Sequence, residues 1–213
     1  MRKVLILAAL TFAAPALADR VAFDGGWQEQ TFSLFGGGND FVFRGDALDV
    51  GSDDAVSLVW TALPRDLWGA TAASWRWQVD ASVPPTDLTR KGGDDRNLAV
   101  YFVFLPAEDV AQVRDAGIRS LLNDAEARVI TYVWGGGHPA GAMLPSPYLG
   151  ERGRTVALRR AGTGQASARV DLAADYRRAF GSEAPSVVGV AVSADSDHTG
   201  ATIRARVSDL TLD

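Results

Sequence analysis

Four aspartates in two turn-like segments have the side chains best suited to hold a metal ion. Asp94 and Asp95 lie in the segment KGGDDRN, and Asp195 and Asp197 lie in the segment DSDHTG. Hard cations such as Ca²⁺ take six to eight oxygen ligands, several of them from carboxylates that alternate along a loop. In an antiparallel sheet, a loop entering one strand lies beside a loop leaving its neighbour. The pattern therefore predicts a possible Ca²⁺ site at one rim, built from these four residues.

Two other interpretations of the same aspartates stay open. Asp, Asn, Ser and Gly in turns usually hydrogen-bond their own backbone, and the second segment lacks the third acidic position and the closing Glu of an EF-hand loop. This favours turn chemistry over metal binding. An Asp–Arg pair, either Asp95 with Arg96 or a pair across the two loops, is the third interpretation, because guanidinium groups match carboxylates.

A ligand-binding rim is predicted beside these aspartates. Trp134 ends a predicted strand and opens the segment GGGHP, so its ring is expected to be exposed and able to stack on a sugar. His138 and His198 both fall in predicted loops after strands. We therefore predict a ligand-binding set of Trp134, His138, Asp95 and His198.

An enzyme is the alternative class, acting on a polysaccharide or an ester as a hydrolase or lyase. His138 or His198 would serve as the base with an Asp partner. No Gly-x-Ser-x-Gly elbow is present to supply a nucleophile, and neither Cys nor a His-x-x-x-His spacing indicates zinc. No catalytic residue is assigned.

Short β-rich segments separated by turn residues predict an all-β domain. In the segment SWRWQVD, Trp75, Trp77 and Val79 share one face, which is expected to be core, and Arg76 faces water. Leu98–Leu105 and Val187–Val192 are apolar on both faces and are expected to be central strands. The predicted strands are Val21–Asp24, Asp40–Arg44, Ala55–Thr61, Ala73–Asp80, Asn97–Leu105, Arg128–Trp134, Thr155–Arg160, Ser167–Leu172, Val187–Ala194 and Ala201–Leu212.

Two short helical insertions interrupt the strands. Pro106 precedes a predicted helix over Ala107–Leu122, and Asp171 is expected to cap a second helix, Leu172–Phe180, that ends at Gly181. Many strands with few helices predict a β-sandwich of the jelly-roll type.

Composition and the N-terminus bound the protein class. A basic start, an apolar run and the ending Ala16-Leu17-Ala18 predict a signal peptide over residues 1–18, leaving a single domain over residues 19–213 that is periplasmic or secreted. That domain would carry 19 basic and 26 acidic residues, a net charge of −7, which gives no reason to bind nucleic acid. No apolar run long enough for a membrane span exists beyond the N-terminus, and the absence of Cys excludes a disulfide scaffold.

Four segments in order resemble the bacterial family DUF3047. They are WRWQVD, KGGDD running into VYFVF, YVW, and GVAVSADSDHTG, and the segment DYRRAFG resembles the short helix of that family. The sequence departs from the family pattern at Ala99, where an Arg is expected, and at His198, where an Asn is expected. The resemblance implies an exported protein with a β-sandwich fold and implies no activity, substrate or cofactor.

These observations lead to three functional hypotheses. The first is a non-catalytic saccharide-binding module of the cell envelope, with the rim as its site. The second is the hydrolase or lyase described above. The third is an envelope scaffold that binds another protein, which a large exposed apolar patch would favour.

Overall fold

The computed structural model describes residues 19–31, 37–108 and 123–213. The predicted signal peptide and most of the predicted helix Ala107–Leu122 lie outside those residues. Within them, no helix is long and apolar enough to cross a membrane.

The described strands form two sheets. The smaller sheet contains β1 (Asp19–Arg20), β3 (Asp40–Phe43), β4 (Ala47–Asp53), β6 (Ala72–Ala81), β11 (Gly164–Asp171) and β13 (Thr202–Leu212). The larger sheet contains β2 (Gln28–Thr31), β5 (Val56–Ala62), β7 (Arg96–Leu105), β8 (Arg128–Gly135), β9 (Met143–Ser146), β10 (Gly150–Arg159) and β12 (Ser186–Asp195).

The chain crosses repeatedly between the two sheets. Strands β4, β13 and β6 are neighbours in the smaller sheet, and β5, β12 and β7 are neighbours in the same order in the larger one. The connections β4–β5, β6–β7 and β12–β13 each pass from one sheet to the other. This is a jelly-roll β-sandwich, as predicted. One pair, β8 with β10, is parallel.

The core lies between the sheets and is rich in aromatic rings. Trp75 and Trp77 of β6 are buried, with ring centroids 5.4 Å apart, and Trp77 packs against Trp134 of β8 at 5.6 Å. The predicted alternation of β6 is therefore confirmed. Trp134 is only 1% exposed, so the prediction of an exposed Trp134 at a binding rim is wrong. Its side chain points to the same face of β8 as those of Ile130 and Tyr132, and that face is the core.

The second predicted helix is confirmed, with its caps. Helix α1 spans Leu172–Phe180; the carboxylate of Asp171 accepts a hydrogen bond from the amide of Ala174 at 2.8 Å, and Gly181 ends the helix with a φ of 77°.

Most predicted strands appear with their bounds shifted by at most three residues, β10 begins five residues earlier than predicted, and four further segments differ. The predicted strand Val21–Asp24 is wrong: β1 covers Asp19–Arg20, and Phe23 makes only an isolated bridge with Gly45. Strands β2, β4 and β9 were not predicted. They are edge or Gly-containing segments, in which the alternation of apolar residues is weak.

The aromatic core predicts a large effect for one substitution. Trp75→Ala should lower the free energy of unfolding by about 3–5 kcal/mol, because it leaves a cavity among well-packed rings. The neighbouring Arg76→Ala, on the exposed face of β6, should change it by less than about 0.5 kcal/mol. Urea titrations of the two variants test this. Equal effects would contradict the burial of Trp75.

Candidate functional site

A cleft of about 600 Å³ lies on the face of the larger sheet that points away from the core. Its floor includes Tyr101 and Val103 of β7, Thr131 and Val133 of β8, and Ala191 of β12. A volume of this size is typical of small-molecule sites. The cleft is therefore the first candidate for a functional site.

Apolar side chains make up most of this outer face. Three buried clusters lie there, around Val103, Leu58 and Val133, and the ring of Tyr101 packs against all three. The strands β7 and β12 are thus apolar on both faces, as predicted for central strands. One face fills the core and the other forms the cleft floor.

The two acidic segments meet at one end of the cleft. Strands β7 and β12 are antiparallel neighbours, and Arg96 is opposite Asp195 in their register. The Nη1 of Arg96 donates to Asp94 Oδ2 at 2.9 Å and to Asp195 Oδ2 at 3.0 Å, and its Nη2 donates to the hydroxyl of Tyr101 at 2.9 Å. The predicted meeting of the loops is confirmed, and a guanidinium lies between Asp94 and Asp195. The Arg96–Asp195 pair is the pair across the two loops that the third interpretation expects, whereas in the described residues Arg96 pairs with Asp94 in place of the Asp95 named there.

Arg96 approaches the backbone of β8 closely. A Cβ atom on Gly135 would lie 2.7 Å from the Cβ of Arg96 and 2.8 Å from its Cα. Glycine at this position therefore lets β8 pass beside the start of β7 and keeps Arg96 at the end of the cleft.

Asp95 faces the opposite way from Asp94. Its Oδ2 accepts hydrogen bonds from the amide and hydroxyl of Thr199, at 2.7 and 2.6 Å, and from the amide of His198 at 3.3 Å. One oxygen of Asp95 therefore stabilises the turn after β12, as the turn-chemistry interpretation expects. The other, Oδ1, is buried and has no hydrogen-bond partner among the described residues.

Tyr148 is an exposed aromatic residue of the cleft that the sequence analysis did not identify. Its side chain is 54% exposed, and its hydroxyl donates to Asp94 Oδ1 at 2.8 Å. The Nζ of Lys91 lies 5.6 Å from its ring centroid. Partial burial raises the pKa of Tyr148 to about 12, and the contact with Asp94 is the second cause of this shift. Tyr148 lies in the connection between β9 and β10, where the sequence has no periodic pattern. Only its aromatic residue type could have marked it as a site residue.

The two histidines lie in different surroundings. His138 Nε2 is 3.2 Å from Asp87 Oδ1 and from the amide of Leu88, and His138 does not line the cleft. His198 Nδ1 is 2.6 Å from Asp197 Oδ1, and this contact raises the pKa of His198. The predicted rim therefore does not assemble in full: the structure brings Asp94, Asp95, Asp195, Asp197 and His198 together, without Trp134 or His138.

Asp195 is a buried carboxylic acid of the site whose pKa is raised. Burial raises its pKa to about 7; Arg96 opposes this shift, and the negative charges of Asp197, Asp95 and Asp94 add to it. Its Oδ1 is buried without a partner among the described residues. One guanidinium shared between two carboxylates does not balance the surrounding acidic charge.

The protonation of Asp195 predicts a pH dependence of stability. Because its folded-state pKa is raised above the unfolded value, its stabilising contribution is present below about pH 4 and is lost as pH rises through about 7. The free energy of unfolding should fall between pH 5 and 7 by on the order of 1 kcal/mol per pH unit through this group. Asp195→Asn should remove that fall.

Urea titrations with EDTA at several pH values measure this effect. Asp209→Asn, at a half-buried carboxylate on β13 that pairs with Arg20, is the matched control and should keep the wild-type slope. The same slope in Asp195→Asn as in wild type would contradict the raised pKa.

The fold and the cleft define a jelly-roll β-sandwich protein with a candidate binding site on its larger sheet. The chain belongs to DUF3047, a family described as "Protein of unknown function", which it matches over residues 25–211. No curated protein matches the sequence.

Several solved structures are similar to the chain at low identity. The xyloglucanase domain of NopAA from Sinorhizobium fredii, solved with cellobiose, is 10% identical with a TM-score of 0.46, covering 94% of this chain and 99% of that one. A cellulase derived from Cel12A of Rhodothermus marinus is 12% identical with a TM-score of 0.43, covering 92% of this chain and 99% of that one. Those names describe the activities of those proteins, and the likeness carries no assignment to this one.

Proposed function

We propose that this protein is a non-catalytic binding protein whose cleft takes a small ligand with an apolar body and a cationic or hydrogen-bond-donating head. The observation that carries this proposal is the uneven lining of the cleft: a mostly apolar floor that includes the hydroxyl groups of Thr131 and Thr155, with the charged groups gathered at one end. Export from the cytoplasm, predicted from residues 1–18, would make the ligand an envelope or extracellular compound.

The preference for a ligand with a cationic or hydrogen-bond-donating head group follows from the charges at the polar end of the cleft. Asp94, Asp195 and Asp197 line it together with Arg96 and Lys91. Arg96 is already paired with two of the carboxylates, and Lys91 lies over the ring of Tyr148. Above about pH 7, where Asp195 is ionised, the three carboxylates therefore outnumber the two cations, and a donor or cation is favoured over an anion.

A saccharide is the second candidate, and the exposed ring of Tyr148 is the observation that favours it. Flat aromatic faces can stack on sugar rings, and Tyr148 offers one at the cleft. The rest of the described lining fits a sugar less well, because its charged hydrogen-bonding groups are concentrated at one end and the floor between is mostly apolar.

The hydrolase alternative has weaker support in the geometry. Each histidine has a carboxylate partner, but no Ser or Thr hydroxyl hydrogen-bonds to either imidazole in the described part of the chain. Asp94 and Asp195 share one guanidinium, so neither is a free nucleophile.

Blocking the cleft should abolish the binding of an apolar probe. N-phenyl-1-naphthylamine, a neutral dye that brightens in apolar sites, should bind the wild-type protein saturably. Val56 is a half-buried residue of the cleft lining that pairs with Asp195 across β5 and β12. Val56→Trp should weaken this binding at least tenfold. Val42→Trp, on exposed edge strand β3, should not. Equal dye binding in both variants would overturn the proposal.

Competition with head-group pairs tests the polar end. Octylamine should displace the dye at roughly tenfold lower concentration than octanoate, because an ammonium gains a charge-assisted hydrogen bond worth about 1.5 kcal/mol or more. EDTA is present so that no cation occupies the acidic end. A preference for octanoate would contradict the proposed preference of the cleft for a cationic or hydrogen-bond-donating head group.

A glycan array, run in Ca²⁺ and again in EDTA, separates the second candidate from the first. If a glycan binds to wild type but not to Tyr148→Ala, and octylamine and octanoate do not displace the dye, the ligand is a saccharide and not an amphipathic molecule. Release of reducing ends from a bound glycan would show that the protein is a hydrolase and not a non-catalytic binding protein.

A further inference from the structure

We propose that Asp95, Asp197 and His198 form a binding site for a divalent cation of the zinc type, beside the acidic end of the cleft. One ligand atom from each residue lies within 4.8 Å of the other two. This site is distinct from the four-aspartate Ca²⁺ site that the sequence predicts, because it excludes Asp94 and Asp195 and includes an imidazole.

The buried oxygen of Asp95 is the independent observation behind this site. Asp95 is 1% exposed, and its Oδ1 has no hydrogen-bond partner among the described residues. An unpaired buried carboxylate oxygen is costly, and a cation would remove that cost. This oxygen is 3.9 Å from His198 Nδ1, so it faces the imidazole of the proposed site.

The surroundings hold the ligands in place, as the outer partners of metal ligands commonly do. The Oδ2 of Asp95 is fixed by three donors from His198 and Thr199. A Cβ atom on Gly92, which has a φ of +71°, would lie 2.8 Å from His198 Nε2. The imidazole therefore packs against bare backbone, and glycine makes this approach possible.

The distances suit a small tetrahedral ion. Zinc bonds to imidazole nitrogen and carboxylate oxygen at about 2.0–2.2 Å, which places neighbouring ligand atoms about 3.4 Å apart. His198 Nδ1 is 2.6 Å from Asp197 Oδ1 and 3.9 Å from Asp95 Oδ1. These two separations lie on either side of the required one and the third is within 4.8 Å, so movements on the order of 1 Å, mostly by exposed side chains, would complete the site.

The donor set also distinguishes between cations. One imidazole and two carboxylates match zinc and related transition metals, whereas Ca²⁺ needs six to eight oxygens. Both oxygens of Asp94 are already bonded, to Arg96 and to Tyr148, and Asp195 has only its buried Oδ1 unpaired, so these two residues do not supply enough oxygens for Ca²⁺. We therefore expect Zn²⁺ and Co²⁺ to bind, and Ca²⁺ not to compete.

Titration calorimetry of the tag-free chain with Zn²⁺, after EDTA treatment and dialysis, tests the site. We expect one ion per chain in wild type and at least tenfold weaker binding in His198→Asn and Asp197→Asn. Both side chains are at least one-third exposed, so these variants should keep the wild-type Tm in EDTA. His138→Asn, which alters the other His–Asp pair, is the matched control and should bind as wild type does.

Co²⁺ gives a readout that a purely structural role would not change. Wild type should show the visible absorption bands of four-coordinate Co²⁺, and His198→Asn should lose them. Failure of wild type to bind Zn²⁺ at 100 µM, or equal binding in His198→Asn and wild type, would overturn the proposal. Loss of binding in His138→Asn alone would move the site to the Asp87 side.

Discussion

The guanidinium of Arg96, buried between Asp94 and Asp195, connects the two central strands of the larger sheet at the polar end of the cleft. It is 12% exposed, and its hydrogen bonds reach Asp94 before β7, Asp195 at the end of β12 and Tyr101 in the floor. A buried guanidinium without partners would cost several kcal/mol. The positions of both acidic loops therefore depend on this charge, and so does the polarity of the cleft end.

The floor depends on a second constraint, the double burial of β7 and β12. An antiparallel sheet in a sandwich usually exposes one face to water. Here Val103, Leu105 and Ala191 are buried on the outer face, and Phe102 and Val190 are buried on the inner one. The same sequence property that marks these strands as central also gives the protein an apolar surface able to bind a ligand.

Alternation within strands allowed much of the fold to be predicted, and it could have corrected one site prediction. Trp75 and Trp77 were placed correctly because their strand has a polar opposite face. Trp134 was misplaced because its position before a glycine-rich loop outweighed the period of two that pairs it with Tyr132 and Ile130. The shared Arg96 depends on the register between β7 and β12, 99 residues apart in the chain. Tyr148 depends on a loop with no periodic pattern. Such contacts come from the tertiary fold, which local spacing does not encode.

The consecutive pair Asp94 and Asp95 shows how the site divides its chemistry. Successive side chains of an extended segment point in opposite directions. Asp94 therefore faces Arg96 and Tyr148 at the cleft, and Asp95 faces the turn of His198 and Thr199. Both oxygens of Asp94 accept hydrogen bonds, from the guanidinium of Arg96 and the hydroxyl of Tyr148, whereas Asp95 keeps one oxygen unpaired. A single cation site using both carboxylates would need one of them to reverse its direction. This division supports the proposal of two adjacent subsites, one polar end for a ligand and one set of donors for a metal ion, to both of which Asp197 belongs.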